Sequence, residues 1–509
     1  MRFGRDSCLA VGVCAAIALV AVALAPPAAN AQCRAGVREL SNPSAREQLT
    51  PRPVVADAAT CGPGAAGTRR FLQLFGLQEP TLRLNYRGGV RDARYDGGAS
   101  TGVGFNAFAR AAFSFDRGIV HALFAPELSV SQNKRFNFFP AGDTSRSDFA
   151  SSWYLATYSM DLPTRFGADA IKELTLGQSA LWVNARRADV GVSASAQAWG
   201  PGLRGNLVLG PDAPGIPRLF VRSAAPIVTR AGAWSATAFI GTLTESPFFD
   251  HDRANDLRTL TAWTVNWSPD SSSGFSVGVA HAAMRVGSLL GGDRKATGPT
   301  DRMNSVFGSF RAPGDGTRAW VEIARAGTLP SLRQFLTVPY QGLAYLVGVE
   351  RAIVKSSGTL LISAEAANLE QPTDIRGELP QDFYTSGAIP HGWTQRGRLL
   401  GYGAGPGGQS QWIAVDWITP TRSTGVFIER VRWNEDVFLR QFLPYLNRHD
   451  VTLHAGVRGD TQWRGRSVRM QLSAGRRLNY LFQNGEFIAG YNTVDIGMTE
   501  LSISISPAK

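Results

Sequence analysis

From about Leu82 to the C-terminus, apolar and polar residues alternate at a period of two, which places successive side chains on opposite faces of a strand. Val451, Leu453, Ala455 and Val457 interleave with Thr452, His454, Gly456 and Arg458; Val468, Met470, Leu472 and Ala474 interleave with Arg469, Gln471 and Ser473. The pattern returns at Val103, Phe105, Ala107 and Ala109, at Ile413, Val415 and Trp417, and at Leu501, Ile503 and Ile505. Turn-rich stretches punctuate it, as at 268–274, 312–316 and 403–408. This reading predicts about 16 to 18 strands, each near the ~9 to 11 residues that cross a bilayer at a tilt.

So many alternating strands either close into a membrane barrel or build soluble sandwiches and propellers. Small residues on the outer faces favour the barrel. Aromatic pairs near strand ends, Trp153 with Tyr154, Trp263 with Trp267 and Trp412 with Trp417, are expected to form interfacial girdles. Arg110, Glu322, Asp416, Glu429 and Arg469 sit inside strands, where a wide lumen would accept them and a sandwich core would not. The expected fold is all-β: a transmembrane antiparallel β-barrel of about 16 to 18 strands with a small, partly helical N-terminal periplasmic plug, in the bacterial outer membrane.

The N-terminus changes the picture first. Arg2 and Arg5 precede an apolar run from Leu9 to Leu24, and Ala29-Asn30-Ala31 is a small-x-small cleavage site, so residues 1–31 read as a signal peptide. Residues 32–79, broken by Pro43, Pro51, Pro53 and Pro63, form a plug or linker, and 80–509 the barrel. Cys8 and Cys14 leave with the signal, so an oxidising compartment favours pairing Cys33 with Cys61, a constraint worth about 3 kcal/mol.

Composition adds less. The 509 residues exceed one soluble core, and 18% charged residues is below the usual ~25%. The net charge of +12, or +11 without the signal, rests on Arg, with only five Lys. It fits affinity for lipopolysaccharide phosphate, an acidic glycan or no specific partner equally well.

Signs of catalysis are poor. Gly274-Phe275-Ser276-Val277-Gly278 has the Gly-x-Ser-x-Gly form, but lies within what reads as one strand and not at a strand-turn-helix elbow. The six His lack zinc-protease spacing, and no phosphate-cradling Gly-Lys-Ser/Thr loop occurs. Asp250, Asp252, Asn255 and Asp256 lack the spacing of a calcium loop and read as solvated charges. No enzyme, cofactor, metal or nucleic-acid partner is expected.

Two segments carry a resemblance. Gln197-Ala198-Trp199-Gly200-Pro201-Gly202 with Asn206-Leu207-Val208-Leu209-Gly210-Pro211-Asp212-Ala213-Pro214-Gly215-Ile216-Pro217, and Gly392-Trp393-Thr394-Gln395-Arg396-Gly397-Arg398-Leu399-Leu400-Gly401, resemble two signatures of Wzi-type capsule assembly outer-membrane proteins, in the family's order. Trp393 stands where the family has Tyr, and the terminal Ser506-Pro507-Ala508-Lys509 lacks the aromatic common at barrel ends. The resemblance implies a monomeric barrel of about eighteen strands with a helical plug. Its implied role is that of a lectin holding a capsular polysaccharide at the cell surface, among lipid and lipopolysaccharide.

From the residues alone, two readings stay open at each segment. Trp199 to Pro217 is first a rigid corner or inward loop, and second a sugar site through Trp199 and Asn206. Arg396 and Arg398, alternating onto one strand face near Trp393, either brace the wall against carboxylates or hold carboxylates of an acidic polymer. The alternative function is a porin-like channel with an Arg-lined, anion-preferring lumen.

Overall fold

The structure, a computed structural model, describes residues 76–507 apart from 93, 95, 139–143, 152, 155–157, 212, 270–273, 288–298, 313–315, 329–330, 338–340, 372–382, 443–447, 465 and 483–493. The expected signal peptide, the plug over 32–79 up to residue 75, and the Cys33–Cys61 pair lie outside these residues.

Alternation becomes a closed, 18-stranded antiparallel barrel. The strands are β1 (Gly76–Gly88), β2 (Gly104–Arg117), β3 (Val120–Phe124 and Glu127–Ser131), β4 (Ile171–Thr175 and Ala180–Ala185), β5 (Ala188–Ser193) and β6 (Arg218–Ser223 and Ile227–Thr229). They continue as β7 (Gly232–Thr244), β8 (Leu257–Ser268), β9 (Phe275–Val286), β10 (Asp301–Arg311), β11 (Thr317–Ala326) and β12 (Leu343–Lys355). The last six are β13 (Gly358–Asn368), β14 (Gln409–Ile418), β15 (Arg422–Trp433), β16 (Asp450–Trp463), β17 (Arg466–Leu478) and β18 (Ile496–Pro507). β18 closes on β1, from Leu82 opposite Ile505 to Gly88 opposite Thr499. Closure pairs the backbone amides and carbonyls of both edges, which hydrocarbon could not satisfy. Gly274-Phe275-Ser276-Val277-Gly278 runs into β9 as a continuous strand, and the Ser276 hydroxyl pairs with that of Ser309 at 2.8 Å.

The side-chain alternation sorts by environment. In β1, Leu82, Leu84 and Tyr86 face outward while Arg83, Asn85 and Arg87 are buried inside. Outward Ile323, Val347, Ile413, Val426, Leu453 and Leu472 continue an apolar exterior, and Arg110, Glu322, Asp416 and Glu429 all point inward and are buried. Arg469 pairs with Asp460 at 2.9 Å.

The aromatic expectation needs correcting. Tyr154 and Trp412 are buried inside the barrel, and Trp153 packs against its core, so none belongs to a girdle. Trp153 and Tyr154 lie in a loop that folds inward, and Trp412 takes an inward position of β14 beside Glu365 of β13. Exposed Trp234 and Trp463, with Trp267 beside Trp234, mark the end with short turns, whereas Tyr86, Phe105 and Tyr345 mark the other end.

That other end carries nine longer connections, two of which, 194–217 and 369–408, turn into the bore over their described residues. Short turns face the periplasm and long loops the exterior in outer-membrane barrels, so these segments enter from outside. Their Leu207, Val208, Leu209, Tyr384, Trp393 and Leu400 join one buried cluster with Phe239, Leu260, Met284, Met303, Trp320 and Leu346 of the wall. The bore is divided: β6 to β13 present this dry core, while inward positions of β1 to β5 and β16 to β18 are mainly polar or charged.

Candidate functional site

The two signature segments meet inside the bore. Leu209 carbonyl accepts from Trp199 N–H at 3.0 Å, closing the 199–209 loop on itself, and Gly210 N–H donates to Leu400 carbonyl at 2.7 Å, tying it to the second segment. The Tyr384 hydroxyl donates to Leu207 carbonyl at 2.7 Å and accepts from Tyr402 N–H at 2.7 Å. Gly401 is required by this crossing, since a Cβ there would sit 2.4 Å from Leu207 carbonyl and 2.3 Å from the Tyr384 hydroxyl. Gly200 adopts φ 137°, and a Cβ would come within 2.6 Å of the Glu322 carboxylate.

Three wall glutamates hold the first segment. Glu365 accepts from Leu203 N–H at 2.6 Å, Arg204 N–H at 2.9 Å and the Trp320 indole at 3.0 Å. Glu322 accepts from Leu207 N–H at 3.1 Å. Glu429 receives Arg204 at 2.8 Å, Arg94 at 3.0 Å and His454 at 3.1 Å. They stand on β11, β13 and β15, so a loop laid across the bore is fixed to the wall at several points.

The second segment forms a small hairpin, Thr394–Gln395 against Arg398–Leu399, with Arg396 at φ 51° and Gly397 at φ 74° in its turn. Arg396 and Arg398 therefore do not share a strand face: two residues apart in a continuous strand, they are separated here by a reversal of the chain. Arg396 N–H donates to Thr244 carbonyl at 2.9 Å, which seats the hairpin on the outer end of β7.

Of the five residues singled out in the sequence, Trp199, Asn206, Trp393 and Arg398 are no more than 3% exposed. The Trp393 indole donates to Asp301 at 3.0 Å, and Asn206 lies beside Glu322. Only Arg396 reaches solvent, its side chain 39% exposed and paired with Glu173. Sequence reading missed Arg91, which lies over the Phe166 ring at 4.0 Å, the same ring that Arg398 approaches at 5.5 Å, because a loop without periodicity gives no signal for it.

A second polar cluster locks three loops beside the hairpin. Glu245 and His391 approach at 2.5 Å, and Asp161 accepts from Ser246 hydroxyl at 2.5 Å, Ser246 N–H at 2.8 Å and Gly397 N–H at 3.2 Å. Burial, with Asp250, Asp161 and Asp256 nearby, pushes the Glu245 carboxyl up to about 8. Burial beside Arg258 and Arg146 pushes the His391 imidazole down to about 2. The pair is thus neutral near pH 7, the Glu245 O–H donating to His391 Nε2. Among the described residues no group of His, Cys, Asp and Glu is arranged to hold a metal ion.

No protein-family model and no curated protein matches this chain. Among solved structures, it is similar to Wzi of Escherichia coli, described as an outer-membrane protein involved in group 1 capsule assembly and a carbohydrate-binding β-barrel. The identity is 12%, over 84% of this chain and 85% of that one, with a TM-score of 0.56. It also matches OccAB2 of Acinetobacter baumannii (10% identity, 85% and 97% covered, TM-score 0.43) and OprD of Pseudomonas aeruginosa (9%, 86% and 93%, 0.40). The fold, with its closed sheet and apolar exterior, is that of a bacterial outer-membrane barrel.

Proposed function

We propose that this barrel is a non-enzymatic, Wzi-type protein that binds a surface polysaccharide of the capsular kind and helps attach or organise it at the cell surface. One observation carries the reading: the two segments with the family resemblance cross each other inside the bore, in a dry core held by Glu322, Glu365 and Glu429. A diffusive channel needs that space for water, whereas a surface receptor needs a rigid base for its external loops. Stacking on aromatic faces and charge-assisted contacts to Arg groups, weak singly, add up along a polymer. The carbohydrate binding described for the similar Escherichia coli barrel points the same way.

The barrel acts as a monomer in lipopolysaccharide. Arg285, Arg302 and Arg325 point outward near the long-loop rim of β9, β10 and β11, next to the inward Met284, Met303 and Ala324, at the level of outer-leaflet phosphates. The competing reading, an anion-preferring channel, draws on the Arg-rich half of the bore.

The test is retention. Purified barrel, immobilised in detergent, is expected to hold the surface polysaccharide of its own host, and deleting the gene is expected to shift that polysaccharide from cells to medium. Unchanged attachment together with no retention would refute the proposal.

A further inference from the structure

At the long-loop end, where the polar half of the bore meets the hairpin, most charges are matched. Asp96 is engaged by Arg87 at 3.0 Å and by the Thr101 hydroxyl, Glu173 by Arg396 and the Ser100 hydroxyl, and Asp92 by Arg94 at 2.7 Å. Two guanidiniums that share one aromatic ring are not matched. Arg91 and Arg398 have no carboxylate within ion-pair distance among the described residues, and each donates through Nη1 alone, to Pro163 carbonyl and Gly97 carbonyl, both at 2.8 Å. Nε and Nη2 of both side chains are buried without a hydrogen-bond partner.

Two like charges on one aromatic ring, neither in ion-pair contact with a carboxylate, are costly to bury unless an anion completes them. Burial, with the Arg398 charge beside it, pushes Arg91 down to about 9, and burial pushes Arg398 down to about 10. Both remain cationic at neutral pH. Three separate chain segments supply the groups: Arg91 from 89–103, Phe166 from 132–170 and Arg398 from the hairpin. Arg396, two residues from Arg398, is partly exposed and pairs with Glu173.

We propose that Arg91, Phe166 and Arg398 form a binding site for a sugar carboxylate, with Arg396 and Glu173 as its rim. The assignment rests on the polysaccharide reading above and narrows it to an acidic glycan. Either anion matches the guanidinium fork, but a carboxylate fits better than a phosphate because the carboxylates of Asp96 and Glu173 nearby repel a dianion more strongly than a monoanion.

The experiment uses the full-length exported barrel in detergent, with hexagalacturonate, maltohexaose, galacturonate and inorganic phosphate as probes. Hexagalacturonate is expected to bind at least tenfold more tightly than maltohexaose. Arg398→Gln and Arg91→Gln should each lose at least tenfold of that affinity, while Arg117→Gln, at the exposed last position of β2 on the far end, should lose none. Heat-modifiable migration in gels establishes that each variant is folded. Equal binding of the acidic and neutral hexamers, unaffected by either variant, overturns the site and leaves the glycan reading intact. Should no polymer be retained, the glycan reading falls, and galacturonate alone decides the site: stabilisation lost in Arg398→Gln supports it, and no stabilisation overturns it. A stronger response to phosphate than to galacturonate overturns the carboxylate assignment.

Discussion

Glu365 is the most informative position to perturb. Its two carboxylate oxygens take the Leu203 and Arg204 amides of the inserted loop at 2.6 and 2.9 Å, and the Trp320 indole of the wall at 3.0 Å. Removing the carboxylate leaves buried donors without an acceptor unless the loop lets go. A buried donor left unsatisfied costs about 1–3 kcal/mol, so the two loop amides together represent roughly 2–6 kcal/mol of docking energy. At about 1.4 kcal/mol per decade, Glu365→Ala should raise the undocked fraction of the 199–209 loop by roughly one to four orders of magnitude. Glu322 and Glu429 still hold Leu207 and Arg204, so the barrel itself should stay closed and folded. The assay is single-channel conductance in planar bilayers. Wild-type protein is expected to be quiet with rare brief openings, and Glu365→Ala to open often, with the double variant Glu322→Gln/Glu365→Ala opening more. A large, steady wild-type conductance would refute the reasoning, as would a folded double variant as silent as wild type.

Further predictions concern other parts of the molecule. The docked loops hold Glu245 raised and His391 depressed, and the signs oppose. The Glu245 contribution is complete below its ordinary range near 4.5 and lost as pH rises through about 8, while that of His391 is complete above 6.5 and lost as pH falls. Of this pair only Glu245 titrates from pH 6.5 to 8, so protection of the 391–397 amides against hydrogen exchange should fall by up to about 2 kcal/mol, less as solvent screens the group, and Glu245→Gln should flatten that slope. Gly401→Ala should destabilise the bore core by roughly 1–3 kcal/mol through overpacking, read as a lower gel-shift temperature. Ile413→Arg, outward near the middle of β14, should cost about 2–4 kcal/mol of barrel stability in urea titrations in lipid.

Strand positions were legible because lipid enforces the alternation. A side chain on the wrong face of β1 would put Arg83 or Arg87 in hydrocarbon, so the sequence must carry a clean period of two there. The same constraint is absent from the connections, and the misreadings concentrate in them. Trp153 and Tyr154 looked like girdle residues because a loop that folds into a bore is as aromatic as an interface. Arg396 and Arg398 looked like one strand face because their spacing is two, whereas Arg396-Gly397 is a turn with both residues at positive φ. Trp412 did obey the alternation, but faces inward, where Glu365 and the Trp199 loop need an aromatic wall.

The divided bore gives these details a common physical cause. An inward wall of Phe239, Met284, Met303 and Trp320 could not face water at low cost, so β6 to β13 require a lid of apolar loop, which the 194–217 and 383–404 segments supply. That lid brings backbone amides into a dry space, and each must find an acceptor, which is the reason for carboxylates at Glu322 and Glu365 among apolar neighbours. The opposite wall keeps its charges in matched sets around Asp96, Glu173 and Glu429. Among the described residues, matching fails at the Arg91–Arg398 pair, which touches the lid on one side and the polar wall on the other. A bound anion there would also brace the hairpin. Loss of the ligand and release of the 199–209 loop should therefore be coupled, so that saturating galacturonate lowers the opening frequency of Glu365→Ala and leaves that of Glu365→Ala/Arg398→Gln unchanged. Equal suppression of both variants would show that anion binding and loop docking are independent.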